Sequence, residues 1–175
     1  MKRLEAVVGN CHVLDQCVEV LRRMDDETYA TAGADEGSPV GAHFRHVFDH
    51  YQVLLGGLAG GRIDYDARRR DPRLERERGY AIDVALGLRN QLSHLTAEMG
   101  SRSLQVSTRS LADEEEPDWS GSTVRRELQF LVSHTVHHCA LIKQILRQHG
   151  FEAGMEFGLA PSTKGHLQRQ AACAR

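Results

Sequence analysis

Between residues 122 and 149 the chain repeats apolar side chains at steps of three and four, and histidines stand inside the repeat. Leu128, Leu131, Thr135, His138, Ile142 and Ile145 form one seam, and His134 follows Leu131 by three residues and precedes His138 by four. Such spacing belongs to a helix with one face in a core. Residues four apart lie about 40° apart around the helix axis, one turn displaced, so His134 and His138 point the same way. Two neighbouring imidazoles on an apolar face are unfavourable unless each finds a partner. A metal ion satisfies both lone pairs at once. His137 sits about 60° from His134 and is less suited to share the ion.

Three other segments carry helical periodicity. Residues 3–24 place Leu4, Val7, Cys11, Leu14, Val18 and Leu21 on one stripe, and Arg22 and Arg23 suit the negative end of the helix dipole. Ser38-Pro39 is a helix start, a capping serine before a proline at the first helical position. The apolar run Val40, Phe44, Val47, Phe48, Tyr51, Leu54 and Leu55 then ends at Gly56-Gly57. Asp71-Pro72 repeats that signal and opens a helix to about Glu98, with Gly100 as its stop. Ser122 or Thr123 caps the last long helix, and Gly150 ends it.

The connections read as loops. Residues 25–37 hold Tyr29 as their only large side chain, residues 60–71 are polar, and residues 113–117 are acidic. Residues 103–109 alternate in polarity and predict a short extended segment without a sheet. Four amphipathic helices and no convincing strand give an all-α four-helix bundle with long crossover loops and a short C-terminal extension. The expected organisation is one domain over residues 1–175, with its core at about 3–150 and a tail at 151–175.

Charge and cysteine usage narrow the function. Lys plus Arg number 22 against 24 Asp plus Glu, a net charge of −2, which excludes a broad electrostatic grip on nucleic acid. No apolar run approaches the roughly 18 residues that span a bilayer, and Glu5, Asn10, His12 and Asp15 interrupt any signal peptide. Cys11, Cys17, Cys139 and Cys173 form no Cys-x-x-Cys pair, so a cytoplasmic, reducing location is expected.

The chain has 10 histidines, and six fall in two clusters: His43, His46 and His50, then His134, His137 and His138. His46 and His50 share a helix face, but the first three span too wide an arc to meet at one point. His12, His94, His149 and His166 read as ordinary hydrogen-bonding histidines.

The segments Ser38-Pro-Val-Gly-Ala-His43-Phe-Arg-His46-Val-Phe-Asp-His50-Tyr and Arg126-Glu-Leu-Gln-Phe-Leu-Val-Ser-His134-Thr-Val-His-His138 together resemble the DinB-like (YfiT-like) superfamily. Gly158-Leu-Ala-Pro-Ser-Thr looks like the tail of its bacterial single-domain members. The likeness covers roughly residues 35–165. It implies a divalent metal held by three histidines, which map onto His46, His134 and His138. Zinc, nickel and iron all accept such ligands.

The Ser-Pro and histidine pattern also resembles the metal-binding domain of iron-dependent sulfoxide synthases that make ergothioneine. Those enzymes carry an acidic residue where Ala140 stands here, so oxidative carbon–sulfur chemistry is not expected. Other relatives are transferases and isomerases that use low-molecular-weight thiols. The resemblance thus implies a metal-dependent enzyme, such as a thiol-dependent S-transferase or a hydrolase, acting on a small-molecule substrate, and by analogy a homodimer. A non-catalytic metal-binding or dimerising bundle is the alternative.

Several neighbours qualify for supporting roles. A ligand histidine commonly donates its second ring N–H to a carboxylate or carbonyl. Asp49, three residues after His46, and Glu127, one heptad before His134, are candidates, set against solvated charges. His50 stands level between a fourth ligand, an acid/base group and a surface residue. The run from Asp64 to Arg70 offers an arginine for a substrate carboxylate. Asp66, Asp71, Glu75 and Glu77 largely neutralise it, which favours a solvated face. Cys139 points about 100° from His138 and reads as packing. Trp119 covers a site mouth or simply packs.

Overall fold

The computed structural model describes residues 4–32, 37–113 and 116–173; residues 114–115 of the acidic loop and residue 3 of the first predicted helix lie outside that range. Helix α1 (Glu5–Arg23) buries Val7, Leu14, Val18 and Leu21, as its stripe predicts. The segment read as loop contains a one-turn helix, α2 (Asp26–Ala30), capped by Asp25, whose carboxylate accepts the Thr28 N–H. Tyr29 is fully buried there.

Helix α3 (Val40–Gly57) starts one residue later than Ser38-Pro39 suggests, and Pro39 is the cap. No serine side chain is needed, because the Val40 N–H donates to the Thr31 carbonyl at 2.8 Å.

Strand β1 (Arg62–Asp64) follows. The helix expected from Pro72 to Glu98 is instead two, α4 (Arg73–Arg76) and α5 (Arg78–Ser93), separated at Glu77 in an extended conformation. The break has a tertiary cause. The Leu74 carbonyl, which a continuous helix would offer to the Arg78 N–H, accepts the Tyr29 hydroxyl. Gly41 of α3 also lies so close that a Cβ there would sit 2.1 Å from the Glu75 carbonyl oxygen.

A 3-10 turn (Glu98–Ser101) leads into β2 (Ser103–Ser107), and β3 (Trp119–Thr123) runs straight into α6 (Val124–Gln148). The Thr123 hydroxyl caps α6 by accepting the Arg126 N–H. The extended segment at 103–109 is therefore real, but the expectation that it stays outside a sheet is corrected. β2 is the centre of a three-stranded sheet, parallel to β1 and antiparallel to β3. Ile63 faces Val106, and Leu104 faces Ser122. Strands of three and five residues, one of them Trp-Ser-Gly-Ser-Thr, are too short and too polar to show as alternation.

The tail returns to the body before α7 (Pro161–Cys173). Gly158 has φ +75°, and a Cβ there would lie 2.7 Å from the Ala140 backbone nitrogen. Only glycine lets the chain lie this close to α6.

The structure is mostly helical. α1 packs on α5 and α6, and α3 packs on α5 and α6, so the four long helices close a ring of contacts around the aliphatic core. No helix among the described residues is long and apolar enough to cross a membrane. One buried polar network ties three of these helices together. The Tyr51 hydroxyl donates to Asn10 Oδ1 at 2.7 Å and lies 3.0 Å from Thr135 Oγ1. Asn10 Nδ2 donates to the Leu128 carbonyl at 2.8 Å. Tyr51→Phe leaves Asn10 Oδ1 without a partner in the core. It is expected to cost about 1–3 kcal/mol in urea unfolding, and an unchanged midpoint would show that the network contributes nothing.

Candidate metal centre

Thr135, next to His134, is anchored by Tyr51, and that contact sets the facing register of α3 and α6. Across it, His46 of α3 meets His134 and His138 of α6. One nitrogen from each ring can be chosen so that all three lie within 4.8 Å of one another. His46 Nε2 and His134 Nε2 are 3.1 Å apart. In a tetrahedral shell with metal–nitrogen bonds of about 2.0–2.1 Å, donor atoms stand about 3.4 Å apart, so the spacing fits an ion with slight opening.

The seam keeps Leu128, Leu131, Thr135 and Ile142 from its sequence reading but has Cys139 in place of His138 and Leu146 in place of Ile145. The buried line of α6 runs Leu128, Leu131, Thr135, Cys139, Ile142 and Leu146, while His134 and His138 are half-buried on its flank. Cys139 is thus a packed core residue, its sulfur 3.6 Å from that of Cys17. The flank position keeps the imidazoles reachable from solvent and still strips away much of their water.

That loss of water governs their charge. Burial first, then the neighbouring histidines, pushes His46 down to about 3, His134 to about 2 and His138 to about 4. Burial likewise lowers His43 and His50. Neutral imidazoles are the form that binds a metal ion. His134 Nδ1 is buried and has no hydrogen-bond partner, so this ring lacks the satisfaction expected of a purely structural core histidine.

The remaining members of the clusters take different places. His43 Nδ1 lies 3.1 Å from His138 Nδ1, and exposed His137 only packs its ring against His138. His50 Nδ1–H donates to the His46 carbonyl at 2.7 Å, which fixes its tautomer and turns Nε2 away from that bond. Tyr65 stacks on His50 and Phe130 on His134, giving the site an aromatic wall.

Neither carboxylate considered from sequence hydrogen-bonds a ring of the triad. Asp49 is buried, with Oδ2 3.5 Å from Arg45 and Oδ1 unpartnered. Glu127 is buried and accepts from the Tyr65 hydroxyl at 3.0 Å, from Ser122 Oγ and from Arg126 Nη1. It therefore positions Tyr65 and, through it, the His50 ring. Both acids start from helix faces that the sequence can place, but the Tyr65 and Ser122 that hold Glu127 come from the residue after β1 and from β3, whereas the Arg45 that faces Asp49 is on its own helix.

Arg68 is the residue that sequence reading assigned to the wrong side. It is half-buried, and Nη1 lies 3.3 Å from His46 Nδ1 and 3.2 Å from His50 Nε2. Counting charge along the chain gives no sign of this, because the burial is created by the turn after β1. Trp119 packs under the Arg62 guanidinium, 4.1 Å from ring centroid to carbon. A cleft of about 760 Å³ lies between α3, the β1 segment and α5, and its lining includes Asp49, Arg62, Arg69 and Gln91 but none of the three histidines. His94 and His149 bond backbone carbonyls, as ordinary histidines do.

The DinB superfamily matches residues 12–142, and the chain belongs to that superfamily. It is also 29% identical over 108 residues to FK506-binding protein 5 of Rhizopus delemar, a stretch covering 62% of this chain and 28% of that protein. The chain therefore spans only a minor part of that relative. No solved structure matches it significantly.

The depressed histidine values set a pH dependence. Below an ordinary value of about 6.5 the unfolded chain binds protons that the folded rings refuse, so stability falls as pH drops from about 6.5 through about 4. The urea midpoint of the metal-free protein is expected to decline over that window, and His134→Gln is expected to flatten the decline. A wild-type midpoint constant from pH 7 to 4 would contradict rings held neutral by burial.

Proposed function

We propose that this protein holds a divalent metal ion through His46, His134 and His138 and uses it in catalysis on a small molecule, as a thiol-dependent S-transferase or a hydrolase. The observation that carries the reading is that one nitrogen from each of three neutral rings on two helices lies within 4.8 Å of the others, with one buried ring nitrogen left unpartnered. In this reading the ring of α1, α3, α5 and α6 is the family's four-helix bundle, its core at about 3–150. Zinc, nickel and iron each suit three imidazoles.

Bound there, a divalent ion lowers the pKa of a thiol or water beside it and makes a nucleophile available at neutral pH. The chain supplies the rest. The α3–α6 contact fixes the separation of the rings. Phe130 and Tyr65 limit water on one side of them. His50 is held by its bond to the His46 carbonyl, and its Nε2 accepts from Arg68 Nη1 at 3.2 Å. Glu127 acts on the His50 ring through Tyr65, and Asp49 faces Arg45. The thiol reading rests on the family likeness, as do a homodimer and, together with cysteine usage, a cytoplasmic location.

Metal analysis of protein purified without a histidine tag tests the core of this. The expected result is close to one divalent ion per chain and a rise in melting temperature on adding zinc, since a ligand that binds only the folded state stabilises it. His134→Ala and His46→Ala are expected to lower affinity at least about tenfold, with the melting shift lost. Wild-type protein that takes up no zinc, nickel or iron would remove the proposed function. Metal occupancy without turnover of electrophiles by any small thiol, and without hydrolysis, would favour a non-catalytic metal-binding protein.

A further inference from the structure

Arg68 has no carboxylate partner among the described residues, although it is half-buried. The acids nearest in charge are engaged elsewhere: Asp66 Oδ2 accepts the Arg109 N–H at 2.6 Å, and Asp49 Oδ2 faces Arg45. Its contacts are two neutral imidazoles. The segment that presents it is well tied down. The Tyr65 N–H donates to the Ser107 carbonyl, and Asp64 accepts from the N–H groups of Asp66 and Ala67. Arg70 has φ +52°, in the left-handed region that non-glycine residues seldom occupy. A strained, anchored turn that points a cation at a cluster of ring nitrogens is an arrangement to be explained.

The hydrogen-bond directions explain it. A guanidinium only donates, so His46 Nδ1 must offer a lone pair to Arg68. The His46 proton is then on Nε2 and donates to His134 Nε2, which leaves the His134 proton on its unpartnered Nδ1. A metal ion that takes the His46 Nε2 lone pair, the one facing His134, moves the proton to Nδ1. There it would face the Arg68 N–H at 3.3 Å, donor against donor. A second cation nearby adds like-charge repulsion. The Arg68–His46 contact and a cation on the triad are therefore mutually exclusive. His50 Nε2 remains an acceptor in both states, because Nδ1–H of that ring stays on the His46 carbonyl.

We propose that Arg68 is the anion-binding residue of the metal centre: with a cation on His46, His134 and His138, its guanidinium leaves His46, stays anchored at His50 and binds a carboxylate of the substrate. The inference rests on the metal-binding reading above. A half-buried guanidinium facing a cation is stable when an anion lies between them, and an arginine fork matches a carboxylate. The substrate class is thus a small carboxylic acid, with the carboxylate on either the thiol or the acceptor molecule.

Divalent cobalt, whose visible spectrum reports its ligands, tests this without turnover. Untagged wild type and Arg68→Gln are loaded with cobalt and titrated with succinate, mercaptoethanol and mercaptopropionate. Arg68→Gln is expected to bind cobalt at least as tightly as wild type, since the competing contact is gone. Its succinate affinity is expected to fall at least about tenfold, with mercaptoethanol affinity changed by less than about threefold. An Arg68-dependent preference for mercaptopropionate over mercaptoethanol puts the carboxylate on the thiol; its absence, with succinate still Arg68-dependent, puts it on the acceptor.

Equal succinate titrations of wild type and variant with cobalt bound would overturn the role of Arg68 alone, as they would if Asp49 Oδ1 received the guanidinium instead. An equal loss for mercaptoethanol would overturn it as well, since it would mark general disruption. Wild type that binds no cobalt would sink the metal reading itself. If Arg68→Gln does not fold, Arg68→Lys keeps the charge without the planar fork, and a succinate loss below about threefold would then count against the proposal.

Discussion

The packing of α3 against α6 is the constraint on which the site depends. Three imidazoles sit across that contact with nitrogens as close as 3.1 Å, and nothing local to either helix could hold them there. The distance is set beneath the rings, where the Tyr51 hydroxyl meets Thr135 and Asn10. Asn10 in turn grips the Leu128 carbonyl. This network joins α1, α3 and α6 in the core, one side chain away from His134. A buried polar network with its partners in place permits one register of the helices, because any slip leaves several groups unpaired.

The same contact decides the charge state of the rings. Each lies on the flank of the core seam, with enough burial to remain neutral at physiological pH and enough exposure to be reached. The cost of the arrangement is visible in His134 Nδ1 and Asp49 Oδ1, which are buried without partners. Unsatisfied atoms in a native core call for an explanation, and a ligand-binding or catalytic role is one. Here His134 Nδ1 belongs to the ring cluster that, among the described residues, can converge on an ion.

The second layer of the site comes from the small sheet and the turn that leaves it. β1 delivers Tyr65 to the face of His50, Glu127 and Ser122 hold the tyrosine hydroxyl side, and the strained turn at Arg70 follows Arg68. These groups surround neutral imidazoles with a guanidinium that has no carboxylate partner among the described residues. An ion on the rings and a guanidinium beside them define a place for an anion, which is why the chemistry of Arg68 and that of the histidines have to be read together.

The long helices were legible in the chain because apolar residues at steps of three and four must share a face, whatever the fold around them. The pairing of His134 with His138 followed from the same geometry, and the place of His46 from likeness to a family. The split of the third long helix at Glu77 was hidden, since it arises when the Tyr29 hydroxyl takes the Leu74 carbonyl. The sheet was hidden because its strands are too short to alternate. The place of Cys139 rather than His138 in the α6 seam, the destination of Glu127 and the inward turn of Arg68 were hidden for a shared reason. Periodicity fixes which residues lie side by side on one helix, whereas partners 20 to 90 positions away, such as His46 for Arg68 or for His134, are chosen only when separate elements pack and exclude water between them.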